Sequence, residues 1–140
     1  MRTMTETSSL HPDAPALNIL VVDDSAMMRA MIKRAAALTG LSIGAIFEAA
    51  NGRQALEVLQ HQHVDALFTD INMPVMTGIE LLQAIAGDER WRHLIRAVIS
   101  TDGSEARRVE ADALDVRFYV EKPFRPEVMR DVLSDLTGAR

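Results

Sequence analysis

Residues 64–80, VDALFTDINMPVMTGIE, decide the fold of this 140-residue chain. A short apolar run reaches Asp70, a loop containing Pro74 follows, and a new apolar period with helical spacing starts at Ile79. This pattern predicts a buried strand that ends on a carboxylate, then a loop and a helix. Ligands of open parallel sheets bind beyond the carboxyl ends of the strands, so Asp70 is the first candidate for a functional residue.

Length and composition restrict the class of protein. The length fits one globular domain, and 48% of the residues are hydrophobic. A net charge of −5 argues against general nucleic-acid binding, which needs clustered Lys and Arg. The absence of cysteine excludes disulfides and thiolate chemistry. No apolar run approaches the roughly 20 residues that span a membrane, and no secretory signal is apparent, so we expect a soluble cytoplasmic domain.

Strand and helix patterns alternate five times along the chain. Each connection is long enough for a crossover helix, which predicts an α/β fold with one parallel sheet and helices on both faces. The helix expected at residues 104–114 has a thin apolar face, formed by Val109 and Ala113, and should be the least firmly packed. The polar residues 1–16 are expected to form a disordered tail. The predicted strands cover residues 17–22, 45–49, 66–70, 94–99 and 116–120.

Polar side chains follow four of these strands. Because parallel strands point the same way, these side chains should meet at one edge of the sheet. Three carboxylates in one place repel one another, and a hard cation such as Mg²⁺ relieves that repulsion through oxygen ligands. A backbone carbonyl at Asn72 could add one more oxygen. The side chains in question belong to Asp23, Asp24, Asp70, Ser100, Thr101 and Lys122.

The chemistry of this group suggests phosphoryl transfer. An Asp carboxylate can act as a nucleophile towards a phosphoryl group and form an aspartyl phosphate. Lys122 and a hydroxyl such as that of Ser100 would neutralise the charge that develops on the phosphoryl oxygens. The residues alone therefore indicate Mg²⁺-dependent phosphorylation of Asp70.

Four stretches, LVVDDSAMMR, FTDINMPVMTGIELL, VIST and YVEKPF, resemble the response-regulator receiver domains of two-component signalling in order and spacing. The resemblance covers about residues 17–136. It implies a doubly wound, flavodoxin-like (βα)5 fold with strand order 2-1-3-4-5, an order taken from the family and not from the residues. A receiver domain at residues 17–137 is expected, with no output domain attached.

The resemblance also implies the roles of the acidic residues and the lysine. Asp70 matches the phosphoacceptor, and Asp23 and Asp24 match the acidic pair that binds the metal. Asp24 is the stronger candidate for direct coordination. Asn72 matches the residue whose backbone carbonyl completes the metal site, and Lys122 matches the lysine that contacts the phosphoryl group.

Other matching residues belong to a conformational switch. Ser100 matches the switch hydroxyl and Tyr119 the switch aromatic residue, while Pro123 matches a proline that follows a cis peptide bond. The chain departs from the family at two places: Thr101 replaces a small residue, and residues 113–117 lack the usual glycine turn.

The function implied is that of a single-domain response regulator. A histidine kinase or phosphotransfer protein would phosphorylate Asp70, and Ser100 and Tyr119 would then rearrange the surface of helix four, strand five and helix five for a downstream protein. Such a domain catalyses its own phosphotransfer and autodephosphorylation without being a classical enzyme. Two alternatives remain: a phosphorylation-independent interaction module, and an aspartyl-phosphate hydrolase, which would want an acid/base where Asn72 stands.

Overall fold

The fold is that of a computed structural model, which describes residues 16–137, with side chains up to residue 136. Apart from Ala16, the tail expected at residues 1–16 lies outside the described residues. Strands and helices alternate through the described part of the chain. The strands are β1 (Leu17–Val22), β2 (Ile43–Ala49), β3 (Ala66–Thr69), β4 (Ile95–Ser100) and β5 (Phe118–Glu121). The α-helices are α1 (Ala26–Ala37), α2 (Gly52–His61), α3 (Gly78–Ala86), α4 (Glu105–Ala113) and α5 (Pro126–Thr137), and a short 3-10 turn covers Glu89–Trp91.

The five strands form one parallel sheet in the order β2-β1-β3-β4-β5. This confirms the predicted fold class and the strand order that the resemblance implied. The register places Val22 opposite Thr69, and Thr69 opposite Val98. The residues that follow these strands therefore leave the sheet at nearly the same level, which is the arrangement that the site requires.

Helices cover both faces of the sheet. Helices α1 and α5 pack on one face, around the buried Ile32 and Met129, while α2, α3 and α4 pack on the other. Strands β1 and β3 are apolar on both faces because both faces are covered, as their continuous hydrophobic runs indicated. Helix α4 buries only Ala111 among its nine residues, so its buried face is thin, but Val109 and Ala113, which were expected to form that face, are exposed.

Strands β2 and β5 each begin two residues from the predicted start, while β3 and β4 differ from the prediction by one residue at their ends. Strand β2 starts at Ile43, two residues before the predicted start, because Leu17 and Ile43 already pair there. Strand β5 starts at Phe118 and not at residue 116. Val116 instead donates its backbone N–H to the Ala111 carbonyl at 3.1 Å, so it belongs to the turn that ends α4.

The turn between α4 and β5 forms without the glycine that the family usually has. Asp115 adopts a φ of 66°, in the left-handed region, which Asp tolerates better than most residues. Its carboxylate lies 3.3 Å from Nη1 of the buried Arg96, and Nη2 of Arg96 donates to the Trp91 carbonyl at 3.1 Å. The ion pair with Arg96 thus holds the turn in the conformation that glycine would otherwise supply.

The loop between β3 and α3 depends on Gly78. Its N–H donates to the Ile71 carbonyl at 2.8 Å, and a Cβ at this position would lie 2.0 Å from the Asp70 carbonyl oxygen. Helix α3 then begins with a capping box, in which Thr77 and Glu80 each bond the other's backbone N–H. The close approach of α3 to the backbone of Asp70 fixes the loop that carries the candidate phosphoacceptor.

Replacing Gly78 tests this close approach. Gly78→Ala should lose about 2–4 kcal/mol of unfolding free energy, since its Cβ must displace backbone atoms of Asp70. Gly87→Ala is the matched control at the other end of α3, where the nearest atom to a new Cβ is 3.7 Å away. The control should be neutral or gain about 0.4–1 kcal/mol. Urea unfolding measures both, and equal stabilities for the two variants would contradict the packing described.

Candidate functional site

Three carboxylates meet at the carboxyl edge of the sheet. Oxygen atoms of Asp23, Asp24 and Asp70 all lie within 4.8 Å of one another. Asp23 is 1% exposed and Asp70 is 8% exposed, whereas Asp24 faces solvent. The structure thus brings together the three aspartates that the sequence predicted to meet, and the cluster has two buried members and one open one.

Lys122 supplies the positive charge inside this cluster. Its Nζ lies 2.8 Å from Oδ2 of Asp23 and 3.0 Å from Oδ2 of Asp70. Burial lowers the pKa of Lys122, but the hydrogen bonds and charges of the two aspartates outweigh it and hold the pKa above its usual value. Lys122 is therefore cationic, and it bridges the two buried carboxylates.

Backbone N–H groups hold the second oxygen of each buried carboxylate. Oδ1 of Asp23 accepts from the Ser25 N–H at 2.9 Å, and Oδ1 of Asp70 accepts from the Ile71 N–H at 2.6 Å. Each carboxylate thus has one oxygen on the backbone and the other on Lys122. The two side chains have a fixed orientation because both of their oxygens are engaged.

Helix α1 begins directly beside the cluster. The hydroxyl of Ser25 accepts from the Met28 N–H at 3.1 Å, so Ser25 is the N-cap of this helix. From the same helix, Nη1 of Arg29 donates to the Asp23 carbonyl at 2.6 Å, and its Nε pairs with Glu48 at 3.0 Å. The sequence analysis missed this support by Arg29, and the spacing of four residues after the N-cap was the signal that could have suggested it.

The residues assigned to the switch lie on β4 and β5. Ser100 is fully buried, and its hydroxyl oxygen accepts from the Asp102 N–H at 3.1 Å. The hydroxyl of Tyr119 donates to the Asp102 carbonyl, and burial raises the pKa of this phenol. The Lys122 N–H donates to the Ser100 carbonyl at 2.8 Å. The backbone of Lys122 is therefore hydrogen-bonded to that of Ser100, which carries the predicted switch hydroxyl.

The structure also gives the positions of two other residues predicted for the site, Pro123 and Asn72. The peptide bond between Lys122 and Pro123 is cis, as the resemblance implied. Asn72 is exposed in the loop between β3 and α3, two residues after Asp70. The role of its carbonyl as a metal ligand stays a prediction.

The carboxyl edge of this open parallel α/β sheet thus carries an acidic cluster and a lysine. A family model described as response regulator receiver domain matches residues 19–134. The chain therefore belongs to the receiver domain family of two-component signalling.

Known proteins of this family are similar over nearly their whole length. Chemotaxis protein CheY of Pseudomonas aeruginosa is 38% identical over 120 residues, which cover 86% of this chain and 95% of that protein. A CheY homolog of Campylobacter jejuni is 35% identical over 123 residues, covering 87% and 93%. The structure of CheY4 of Vibrio cholerae superimposes with a TM-score of 0.77 at 30% identity, covering 87% of this chain and 99% of that chain.

Within residues 16–137, none of the helices has the length and apolar character that crossing a bilayer requires.

The charge balance of the cluster predicts a large effect of replacing its lysine. Lys122→Gln should lose about 1–3 kcal/mol of unfolding free energy in metal-free buffer, because two buried carboxylates then face each other without a cation. The chain's other lysine, Lys33, lies 2.8 Å from Glu48 and is 42% exposed. Lys33→Gln should cost less than about 1 kcal/mol, as exposed ion pairs do.

Chemical unfolding with a chelator present compares the two lysine variants. Lys122→Gln should lose clearly more unfolding free energy than Lys33→Gln. Similar losses for both variants would mean that Lys122 does not balance the buried charges.

Proposed function

We propose that this receiver domain accepts a phosphoryl group on Asp70 from a histidine kinase or phosphotransfer protein and signals through a partner protein. The observation that supports this most directly is the position of Lys122, whose Nζ contacts both Asp70 and Asp23. A lysine so placed already holds the charge that must meet the oxygens of an incoming phosphoryl group. The proposed donor also implies a cytoplasmic location, and residues 17–137 form the proposed receiver unit.

The proposed reaction is a displacement at phosphorus. A carboxylate oxygen of Asp70 forms the new O–P bond while the P–N bond of a phosphohistidine breaks, and the imidazole nitrogen leaves with the electron pair. The backbone N–H of Ile71 keeps the carboxylate in place, as it does at 2.6 Å in the unmodified chain. Lys122 shifts its contact from the carboxylate to a phosphoryl oxygen and neutralises part of the developing charge.

The acidic cluster fits a hard divalent cation. Its donor set consists of carboxylate oxygens within 4.8 Å of one another, and the exposed Asp24 leaves one side open to solvent. Mg²⁺ commonly takes one or two carboxylates and keeps several waters. Asp23, Asp24, Asp70 and the Asn72 carbonyl would hold it. When bound, Mg²⁺ would neutralise negative charge on the phosphoryl oxygens.

Phosphorylation would act on the switch residues through local charge. It adds roughly −1.5 to −2 charges at Asp70, which attracts the hydroxyl of Ser100 as a hydrogen-bond donor. Movement of Ser100 leaves space beneath the loop between β4 and α4, and Tyr119 occupies it. The surface formed by α4, β5 and α5 would then change shape for an output partner, as a two-state element biased at one site.

The alternative functions receive less support. A hydrolase would want a general acid two residues after its nucleophile, where this chain has Asn72, which does not titrate. An interaction module that ignores phosphorylation would have no need of a lysine bridging two buried carboxylates. Pull-down of a partner with and without beryllofluoride, a phosphoryl mimic, separates such a module from the proposed regulator.

Incubation with acetyl phosphate and Mg²⁺ tests the acceptor. Intact mass should show one phosphoryl adduct on the parent protein, because Asp70 is the single proposed acceptor. The adduct should be absent from Asp70→Asn and from samples with chelator. An adduct that persists in folded Asp70→Asn would place the acceptor elsewhere, and a parent protein without any adduct from acetyl phosphate or from kinase would reject phosphorylation.

Thermal unfolding with Mg²⁺ tests the metal site independently of phosphorylation. A saturating concentration of 100 times Kd should stabilise the parent by about 2.7 kcal/mol through binding to the folded state. Asp24→Asn should lose most of this gain, and since Asp24 is exposed, the substitution leaves the core intact. Asp112→Asn, at an exposed carboxylate of α4, is the control and should keep the full response. Equal Mg²⁺ responses in both variants would contradict the assignment.

A further inference from the structure

Tyr119 already lies in an inward position. Its ring packs against the hydrophobic cluster beneath α2, α3 and α4, and its hydroxyl donates to the Asp102 carbonyl. The proposed switch assigns this space beneath the β4–α4 loop to Tyr119 after Ser100 has moved. The hydrogen bond to Asp102 thus places the Tyr119 hydroxyl at the loop between β4 and α4.

Arg108 on α4 closes over the ring from the solvent side. The carbon of its guanidinium lies 4.5 Å from the centroid of the Tyr119 ring. Its Nε donates to the Gly103 carbonyl at 3.2 Å, and its Nη2 donates to Oε1 of Glu121 at 3.2 Å. One side chain thus joins α4, the β4–α4 loop and β5 around the tyrosine. We call Arg108, Gly103 and Glu121 the clasp.

Gly103 makes the clasp possible. A Cβ at this position would lie 2.3 Å from the carboxyl carbon of Glu121 and within 2.6 Å of both its oxygens. The absence of a side chain lets the Glu121 carboxylate approach the loop and meet the guanidinium of Arg108. The three members of the clasp therefore fit together by shape as well as by charge.

The chemistry of the clasp requires arginine. A planar guanidinium can stack on an aromatic face while its edge donates hydrogen bonds in two directions. A lysine ammonium at the same place could pair with Glu121, but it would lack the flat surface and the second fixed donor. A lysine in place of Arg108 should consequently hold the Tyr119 ring less firmly than arginine does.

We propose that Arg108 is a positioning residue that holds the Tyr119 ring inward, beneath the β4–α4 loop, and so favours the position that the proposed switch assigns to this ring. The proposal rests on the proposed function, since it concerns the switch that phosphorylation of Asp70 would drive. It goes further in assigning a role to a residue outside the phosphorylation site. A ligand that binds the switched state more tightly gains affinity in proportion to the population of that state.

The chain offers a clean probe because Tyr119 is its single tyrosine. Protein labelled with fluorotyrosine gives one ¹⁹F resonance, and the change in its shift between H₂O and D₂O reports the solvent exposure of the ring. In Arg108→Gln, without Mg²⁺ or phosphoryl mimic, this solvent effect should increase. Arg108→Lys should give an intermediate value.

Arg117→Gln is the matched control. Arg117 also lies over an aromatic ring, 5.4 Å from the centroid of Phe118, and pairs with Asp135 at 2.7 Å. Its loss removes the same charge from the same region without touching Tyr119. The ¹⁹F solvent effect of this control should equal that of the parent.

The second readout is the binding of beryllofluoride in the presence of Mg²⁺. Loss of one stacked cation and two hydrogen bonds, one partly buried and one exposed, should weaken apparent affinity by up to about three- to tenfold in Arg108→Gln. Arg117→Gln should bind as the parent does. A structural role alone would lower thermal stability in both variants without separating their affinities.

These measurements test the role of Arg108 separately from the proposed function. An unchanged ¹⁹F solvent effect in Arg108→Gln, or beryllofluoride affinity equal to or tighter than that of the parent, overturns the role of Arg108. Failure of the parent itself to bind beryllofluoride counts against the proposed function. In that case the ¹⁹F exposure still decides whether Arg108 holds Tyr119 inward, because that measurement requires no phosphoryl mimic.

Discussion

The contact of Lys122 with two buried aspartates is the interaction on which the rest of the site depends. Carboxylates removed from water are costly unless a cation or several hydrogen bonds compensate them. Asp23 and Asp70 share a cation, Lys122, whose Nζ lies 2.8 and 3.0 Å from their carboxylates, and each also accepts a hydrogen bond from one backbone N–H. The cluster can therefore exist without a metal, and its lysine is already where an incoming anionic group needs it.

This arrangement joins the site to the whole sheet. Asp23 follows β1, Asp70 follows β3 and Lys122 follows β5. Lys122 can therefore neutralise the two aspartates only when these three strands are in register. The hydrogen bond from the Lys122 N–H to the Ser100 carbonyl, at 2.8 Å, ties the lysine to the end of β4. In the proposed function, this bond would carry the effect of a charge change at Asp70 to β4 and β5, where the proposed switch residues lie.

Much of the site could be predicted because its residues follow strands. Asp23, Asp70 and Lys122 stand where apolar runs end, and a parallel sheet brings such ends together. The strand order came only from the family resemblance, since order depends on how crossover helices pack and no local pattern records it. The positions of Ser100 and Tyr119 beside Asp102 became visible only in three dimensions.

The residues that sequence reasoning missed are long side chains that reach between elements. Arg29 and Arg108 extend from helices to loop carbonyls, and residues on an exposed helix face carry no periodic signal for such contacts. The start of β5 was misplaced because Val116 bonds back to α4, and Asp115 replaces an expected glycine through its ion pair with Arg96. Each of these outcomes depends on a tertiary contact that overrides local preference.

The most direct test of the central claim is a crystal structure of the protein with Mg²⁺ and beryllofluoride. The account predicts the beryllium on a carboxylate oxygen of Asp70, with Lys122 and the Ser100 hydroxyl each contacting a fluorine atom. Beryllofluoride bound at another residue, or an Asp70 complex in which Lys122 keeps its contacts with both carboxylates, would contradict it.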